Sequence, residues 1–305
     1  MTKLKFTIKE LDERISVIQT NYLDVYLNIP IFDNVLTDTG SAPIANELIK
    51  DIKPSKAIIS HSHSDHAGGG SIFSKYGVNV YTHKITASTL ISLQASIHNF
   101  FPQRYRIWFE DSYVKDTVEG LKRDYNNRIL VSSNLNELRK LGLEFIEAFG
   151  HTAGDIIIRL DDVFYTNDAV QGEGIIGTDK TKMVPQISDF HKYFKMIDYL
   201  KDAKIEALIP AHNFLPFSTK RILYGNEVER FLDSSEKAAK ELVEKGGTLL
   251  YDGPISLGEI SRGLLKFKGI ENLSLQTLIT VEGILRYFSD VKEMVEGEIK
   301  YYYRI

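Results

Sequence analysis

Apolar residues along this chain fall into short runs broken by polar residues, Pro or Gly, and their period changes several times. Lys5–Ile8, Ile15–Thr20, Asp24–Ile29 and Ile31–Leu36 are β-rich runs, a meander that leads into Thr37-Asp38-Thr39-Gly40. Over 42–52 the period shifts to three and four, with Ile44, Leu48, Ile49 and Ile52 on one face and Pro43 in the first turn. That predicts a helix packed on a sheet. A buried strand at Ala57-Ile58-Ile59, a helix at Ser71–Tyr76 and a strand at Val78–His83 follow. Further on, Leu143–Phe149, Ile156–Leu160, Val163–Asn167 and Ala207–Pro210 read as strands, with an amphipathic helix at Ile187–Leu200.

Two stretches fit that alternation less well. The segment 86–130 holds the sole Trp and several aromatics, and is too long for a structureless loop, so it is expected to make helices of its own. It reads either as a lid over a site or as an excursion packed on the domain or at a dimer interface. From about Arg221 the pattern turns helical: Glu227–Lys245 ending at Gly246-Gly247, Ser256–Phe267, and a third helix within Ser274–Glu296 carrying Leu278, Val281, Leu285 and Phe288 in register. Glu298–Ile305 is strand-like.

The chemistry gathers at strand ends. After Ala57-Ile58-Ile59 come His61, His63, Asp65 and His66 within six positions, then Gly68-Gly69-Gly70, expected to let the backbone turn away sharply. Imidazoles with a carboxylate suit a borderline divalent ion such as zinc. Three more groups sit just past strands: His151 in Gly150-His151-Thr152-Ala153-Gly154-Asp155, Asp168 after Asn167, and His212 after Pro210-Ala211. Open α/β sheets collect their sites at such ends. Of eight histidines, this leaves His83, His98 and His191 without ligand-like spacing.

Composition narrows the class. The 305 residues, 43% hydrophobic and 26% charged, suit a folded chain of one large domain and a small one, with no apolar run long enough to span a bilayer. A net charge of −4 gives no general attraction to nucleic acid or anionic membrane. With no cysteine, any metal must be held by nitrogen and oxygen. The first residues lack the apolar core of a secretory signal, so a cytoplasmic location is expected.

The order HxHxDH, GHTxGD, NDA and PAHN resembles the metallo-β-lactamase superfamily over roughly residues 15 to 220, with all seven ligand positions of the dinuclear members matched. The resemblance implies His61, His63 and His151 on one ion, Asp65, His66 and His212 on the other, and Asp168 between them. Zinc leads, with iron or manganese also compatible. Phe149 replaces the usual Pro before the Gly-His-Thr turn, and Ala211-His212-Asn213 the usual Gly-His-Gly. Asp38 resembles a group that orients the ligand loop, and reads equally as a turn residue.

The expected architecture is α/β: the four-layer αβ/βα sandwich of that superfamily over 1–220, with an insertion at about 86–130, and a small, mostly helical, winged-helix-like domain over 221–305. The expected activity is hydrolysis of a small-molecule ester, thioester or lactone, in the manner of the glyoxalase II-like branch, by hydroxide made available between two metal ions. Asp65 is the expected catalytic group, orienting the water and accepting its proton. The alternative is a phosphodiesterase or endoribonuclease on single-stranded RNA. Charge disfavours it: residues 221–305 carry 12 Lys/Arg against 14 Asp/Glu. No membrane partner is expected, and a homodimer is left open.

Overall fold

The computed structural model of the protein describes residues 6–23, 25–217, 222–251, 253–296 and 299–305. The expected boundary at 220/221 and the first residues of three expected strands, Lys5, Asp24 and Glu298, lie outside them.

A six-stranded sheet forms from the first half in chain order: β1 (Thr7–Glu10), β2 (Ile15–Tyr22), β3 (Val25–Phe32), β4 (Val35–Thr37), β5 (Lys56–Ile59) and β6 (Asn79–Thr82). The first four pair antiparallel, and β4, β5 and β6 run parallel. Pro30, expected to fall at a break between strands, instead lies within β3 opposite Val17. It is tolerated because the β4 ladder reaches only Ile31 and Phe32, so no donor is needed at Pro30, whose carbonyl takes the Thr37 hydroxyl at 2.7 Å. The break comes at Asp33-Asn34, both at positive φ. Helices α1 (Ala42–Asp51), α2 (Ser64–Ala67) and α3 (Gly70–Lys75) accompany this sheet, with Ile44 and Leu48 of α1 buried.

The second sheet has the order β13-β12-β9-β8-β7, built from β7 (Leu143–Glu147), β8 (Ile156–Leu160), β9 (Val163–Asn167), β12 (Ala207–Pro210) and β13 (Leu223–Tyr224). A two-stranded ribbon, β10 (Ile175–Ile176) and β11 (Lys182–Met183), stands apart. Polar bonds tie the two main sheets together: Asn28 of β3 donates from its backbone to Ala211 (2.8 Å) and from its side chain to Pro210 (2.8 Å). Helix α9 (Phe190–Asp202) starts three residues later than expected because the Asp189 side chain caps it, accepting from Lys192 N.

The insertion is helical, as its length required: α4 (Lys84–Thr89), α5 (Leu93–Phe100), α6 (Gln103–Arg106) and α7 (Asp111–Tyr125), followed by the single turn α8 (Asn136–Arg139). The tail contains α10 (Asn226–Leu249), α11 (Leu257–Lys268) and α12 (Leu275–Tyr287), with a three-stranded sheet of β14 (Ile255–Ser256), β16 (Ile299–Arg304) and β15 (Val291–Glu296). Two expectations change here. The third helix falls within Ser274–Glu296 as expected but stops at Tyr287, so Phe288, expected in its register, lies just past it, and the chain then becomes β15. And Gly246-Gly247 do not end α10; both are buried inside it, where a Cβ would come within 2.8 Å of Ile284 and Phe288 on and just after α12. They are glycines so that two helices can approach. Arg104 of α6 forms an ion pair with Glu282 of α12 (2.9 Å), and Trp108 fills the space a side chain at Gly258 of α11 would need, so insertion and tail are in contact.

Candidate metal centre

The ligand loop starts where β5 ends. Ser60 N and Oγ donate to Asp38 at 2.6 and 2.9 Å, fixing the chain as it leaves the sheet, and α2 then carries Asp65 and His66. The glycines that follow were expected to supply a sharp bend. Gly68 and Gly69 instead have helical torsions (φ −57° and −75°), and what requires glycine is contact: a Cβ at Gly68 would lie 2.3 Å from Asp124 O, and one at Gly69 2.4 Å from Thr39 O. His151 lies in the turn between β7 and β8. Asp168 follows β9, where Asn167, at φ +41°, accepts from Ala169 N and donates to Ile156 O. His212 follows β12.

The structure brings all seven expected side chains together. They form two groups, His61, His63, His151 and Asp168 in one and Asp65, His66 and His212 in the other, with the potential ligand atoms of each group within 4.8 Å of one another. His63 is half-buried and the rest are buried. His151 Nε2 and His63 Nδ1 are 3.2 Å apart, and His66 Nε2 and His212 Nε2 are 3.4 Å apart. Two nitrogens on one tetrahedral zinc are separated by about 3.3 Å, given Zn–N bonds of about 2.0–2.1 Å. Asp168 Oδ2 is 3.7 Å from His151 Nε2 and from His66 Nε2 and 3.9 Å from His61 Nε2, so it faces both groups. His61 Nε2 and Asp168 Oδ1 are buried without a hydrogen-bond partner. Such orphans are costly unless a further partner satisfies them. The donor set, its spacing and its orphans fit a dinuclear metal centre.

The outer ring nitrogens orient the inner ones. His66 Nδ1 meets Asp38 Oδ2 at 2.7 Å, His212 Nδ1 the Tyr26 carbonyl at 2.6 Å, His151 Nδ1 the Gln186 carbonyl at 3.0 Å, and His61 Nδ1 the Ser60 hydroxyl at 3.1 Å. An Nδ1–H donated outward leaves the Nε2 lone pair facing in, which is how metal-binding histidines are held. Asp38, left open between two roles by its sequence, is fully buried at φ +68° and accepts from Ser60 N, Ser60 Oγ, Tyr165 Oη (2.7 Å) and His66. It supports the ligand loop.

Burial and charge divide the titratable groups. Burial lowers His61 well below the ordinary imidazole range and His63 to about 3. Burial acts on His66 in the same direction, but Asp65, Asp38 and Asp168 outweigh it and hold the ring up to about 9. Asp65, which burial alone would raise, is held down to about 2 by His66 and His212.

Gln171 and Gln186 carried no signal in the sequence. Gln171 Nε2 lies 2.8 Å from His151 Nδ1 and donates to Asp168 O (3.0 Å), and its Oε1 accepts Gln186 N (2.7 Å). The insertion braces the loop from the other side: Tyr125 donates to Ser62 O (2.5 Å), Asn99 to Ser62 Oγ (2.8 Å), and the Phe100 ring stands 4.9 Å from His63. A cavity of about 590 Å³ opens over His63, Asp65, His151, Asp168 and His212. Its walls include Phe100, Phe101 and Leu121 of the insertion and Leu275 of the tail. The three remaining histidines serve elsewhere. His83 caps α4, His98 is exposed and His191 stacks on Tyr287.

Residues 33–212 match the sequence profile of the metallo-beta-lactamase superfamily. No curated protein matches the chain by sequence. Among solved structures, a beta-lactamase domain protein from Burkholderia ambifaria superposes with a TM-score of 0.69 at 11% identity, over 98% of this chain and 94% of that one. A metallo-beta-lactamase family protein from Thermus thermophilus gives 0.59 at 16% identity, over 100% and 99%. The metallo-beta-lactamase FIM-1 from Pseudomonas aeruginosa, in a mono-zinc form, gives 0.50 at 15%, over 78% and 98%. At these identities the likeness is one of fold.

Proposed function

The chain belongs to the metallo-beta-lactamase superfamily, and from that premise we propose that it is a dinuclear hydrolase of an ester, thioester or lactone, close in chemistry to the glyoxalase II-like branch. His61, His63 and His151 would hold one ion, Asp65, His66 and His212 the other, with Asp168 shared and zinc, iron or manganese as the metal. Two such ions, when bound, supply Lewis acidity toward a carbonyl oxygen and lower the pKa of a nearby water.

The chain's own groups do the rest. Asp65 Oδ2 points inward, 3.1 Å from His212 Nε2, and its low pKa keeps it ionised at neutral pH. It would orient the attacking water and take its proton. Water oxygen bonds to the acyl carbon, the bond from that carbon to the leaving oxygen or sulfur breaks, and the leaving group takes up the proton. Phe100 and Leu121 give the cavity over the site part of its apolar wall.

The observation that carries the substrate class is the charge of the cavity. Among the described residues, the charged side chains that line it beyond the candidate ligands are Asp116, Asp124, Asp179 and one cation, Arg123, which lies 3.5 Å from Asp124. A phosphodiester chain would require the opposite balance. For the tail, the three helices and small sheet support a winged-helix-like unit that packs rather than binds nucleic acid.

Metal analysis of the purified protein, paired with a panel of S-lactoylglutathione, an acyl-CoA, a homoserine lactone, bis-p-nitrophenyl phosphate and a short RNA, tests this reading. About two metals per chain with acyl turnover is the expected result. Cleavage of only the phosphodiesters would overturn the substrate class, and a metal-free protein the centre itself.

A further inference from the structure

The side chains that would hold the first ion are backed by residues 184–188, which belong to no helix or strand. Gln186 is the focus of that segment. Its carbonyl lies 3.0 Å from His151 Nδ1, and its side-chain amide lies 3.5 Å from His63 Nε2, so one residue touches the outer nitrogens of two of the three histidines. Without a ladder of strand bonds, something else must fix its backbone, and Pro185 has no N–H to offer.

Gln186 N itself is held by Gln171 Oε1 at 2.7 Å and Ser188 N by Gly150 O at 2.8 Å, but the groups immediately flanking Gln186 are held from the tail. Thr280 of α12 is fully buried. Its hydroxyl donates to Pro185 O at 2.8 Å and accepts from Ile187 N at 3.1 Å, one bond on each side of Gln186. One turn later Gly283 lets α12 lie directly on the segment, since a Cβ there would be 2.4 Å from Ile187 O. The second group is backed differently, by Asp38 and the Tyr26 carbonyl, both in the first half of the chain.

We infer that Thr280 is a positioning residue for the first metal group, so that the C-terminal helix selectively sets how tightly the His61, His63 and His151 set holds its ion. The inference rests on the dinuclear reading above. Removing the hydroxyl while keeping the shape, as in Thr280→Val, leaves Pro185 O and Ile187 N unpaired in a buried place, so the Gln186 carbonyl is less firmly set against His151, with the bond from Gln186 N to Gln171 as its remaining hold. Outer partners of ligating histidines are commonly worth about 10–100-fold in affinity, and a group one bond further out should fall near the lower end.

The experiment titrates chelator-stripped protein with cobalt(II) or zinc against a chromophoric competitor. Two single-site backgrounds separate the groups: His212→Ala impairs the second and His151→Ala the first. In the His212→Ala background, Thr280→Val should weaken binding about tenfold, with Thr280→Ser restoring it and the cobalt spectrum changing and recovering in step. In the His151→Ala background Thr280→Val should change nothing. Leu278→Ala, at a buried apolar position on the same helix, controls for a weakened tail and should lower the melting temperature without altering either affinity. Equal weakening in both backgrounds, or the same loss from Leu278→Ala, would make Thr280 merely structural and overturn the inference. Wild-type protein that takes up no metal would overturn the dinuclear reading beneath it, whereas two ions with no Thr280 effect would sink the inference alone.

Discussion

The two halves of this centre are built from the same imidazoles but held by opposite means. On the side of Asp65, His66 and His212, support comes from within the first half of the chain and includes a charge: Asp38, with four donors around it, takes the His66 Nδ1 proton. On the His151 side the support is neutral: the Gln171 side-chain amide and a carbonyl on an irregular segment, the latter steadied by a hydroxyl from the tail. The difference shows in protonation. Carboxylates keep His66 up to about 9 against burial, whereas burial keeps His151 below the usual imidazole value despite Asp168. A charged backing makes a more basic ligand that must surrender a proton to bind. A neutral backing leaves the ring ready, and makes its position depend on packing.

Removing the charge should break this contrast most strongly. Asp38→Asn retains the volume but cannot serve all four donors, and it withdraws the carboxylate from His66. Affinity of the second group should fall about 10–100-fold, and folding stability should drop by roughly 1–3 kcal/mol for the orphaned donor. Competition titration in the His151→Ala background, with a denaturant melt, measures both. Equal loss at the first group would show that the two supports are not separate.

The same asymmetry predicts a pH effect. His66 is raised in the folded chain from 6.5 to about 9, so metal-free protein gains stability from its bound proton. That gain is complete below the unfolded value near 6.5 and disappears as pH rises through about 9. Chelated protein should therefore lose melting temperature over this interval. Metal binding at pH 7 should release on the order of two protons, one from His66 and one from His212, which Asp168 and Asp65 hold up against burial. An indicator dye in weak buffer reads the release. Stability that stays flat between about pH 6 and 9 in chelated protein would count against a protonated His66.

What the sequence disclosed follows the same division. His61, His63, Asp65 and His66 are close together along the chain, and His151, Asp168 and His212 each follow an apolar strand, so local pattern finds them. Asp38 was half legible, as a turn residue whose second role depends on a fold that brings Tyr165 and His66 to it. Gln186, Thr280 and the reason for Gly68 and Gly69 were not legible, because each depends on which backbone passes within a few ångströms. Nothing in the residues around Thr280 distinguishes a hydroxyl that caps another segment from one that satisfies its own helix.

A second tail hydroxyl sharpens the point with a smaller effect. Ser235 of α10, fully buried, accepts from Gly172 N at 3.0 Å, next to Gln171, which bonds both the Asp168 carbonyl and Gln186. Gly172 cannot relax freely, because it sits at φ +54° and a Cβ there would be 1.8 Å from Leu215 O. Ser235→Ala leaves a buried N–H unpaired and should cost about 1–3 kcal/mol of stability. Its effect on metal should be weaker than that of Thr280→Val, because Gly172 is already confined sterically and so passes little displacement on to Gln171, whose side-chain amide lies 2.8 Å from His151 Nδ1. The expected result is a lower melting temperature with first-group affinity reduced no more than a few-fold in the His212→Ala background. A loss matching that of Thr280→Val would mean that the whole tail contact, rather than the bonds flanking Gln186, sets the first site.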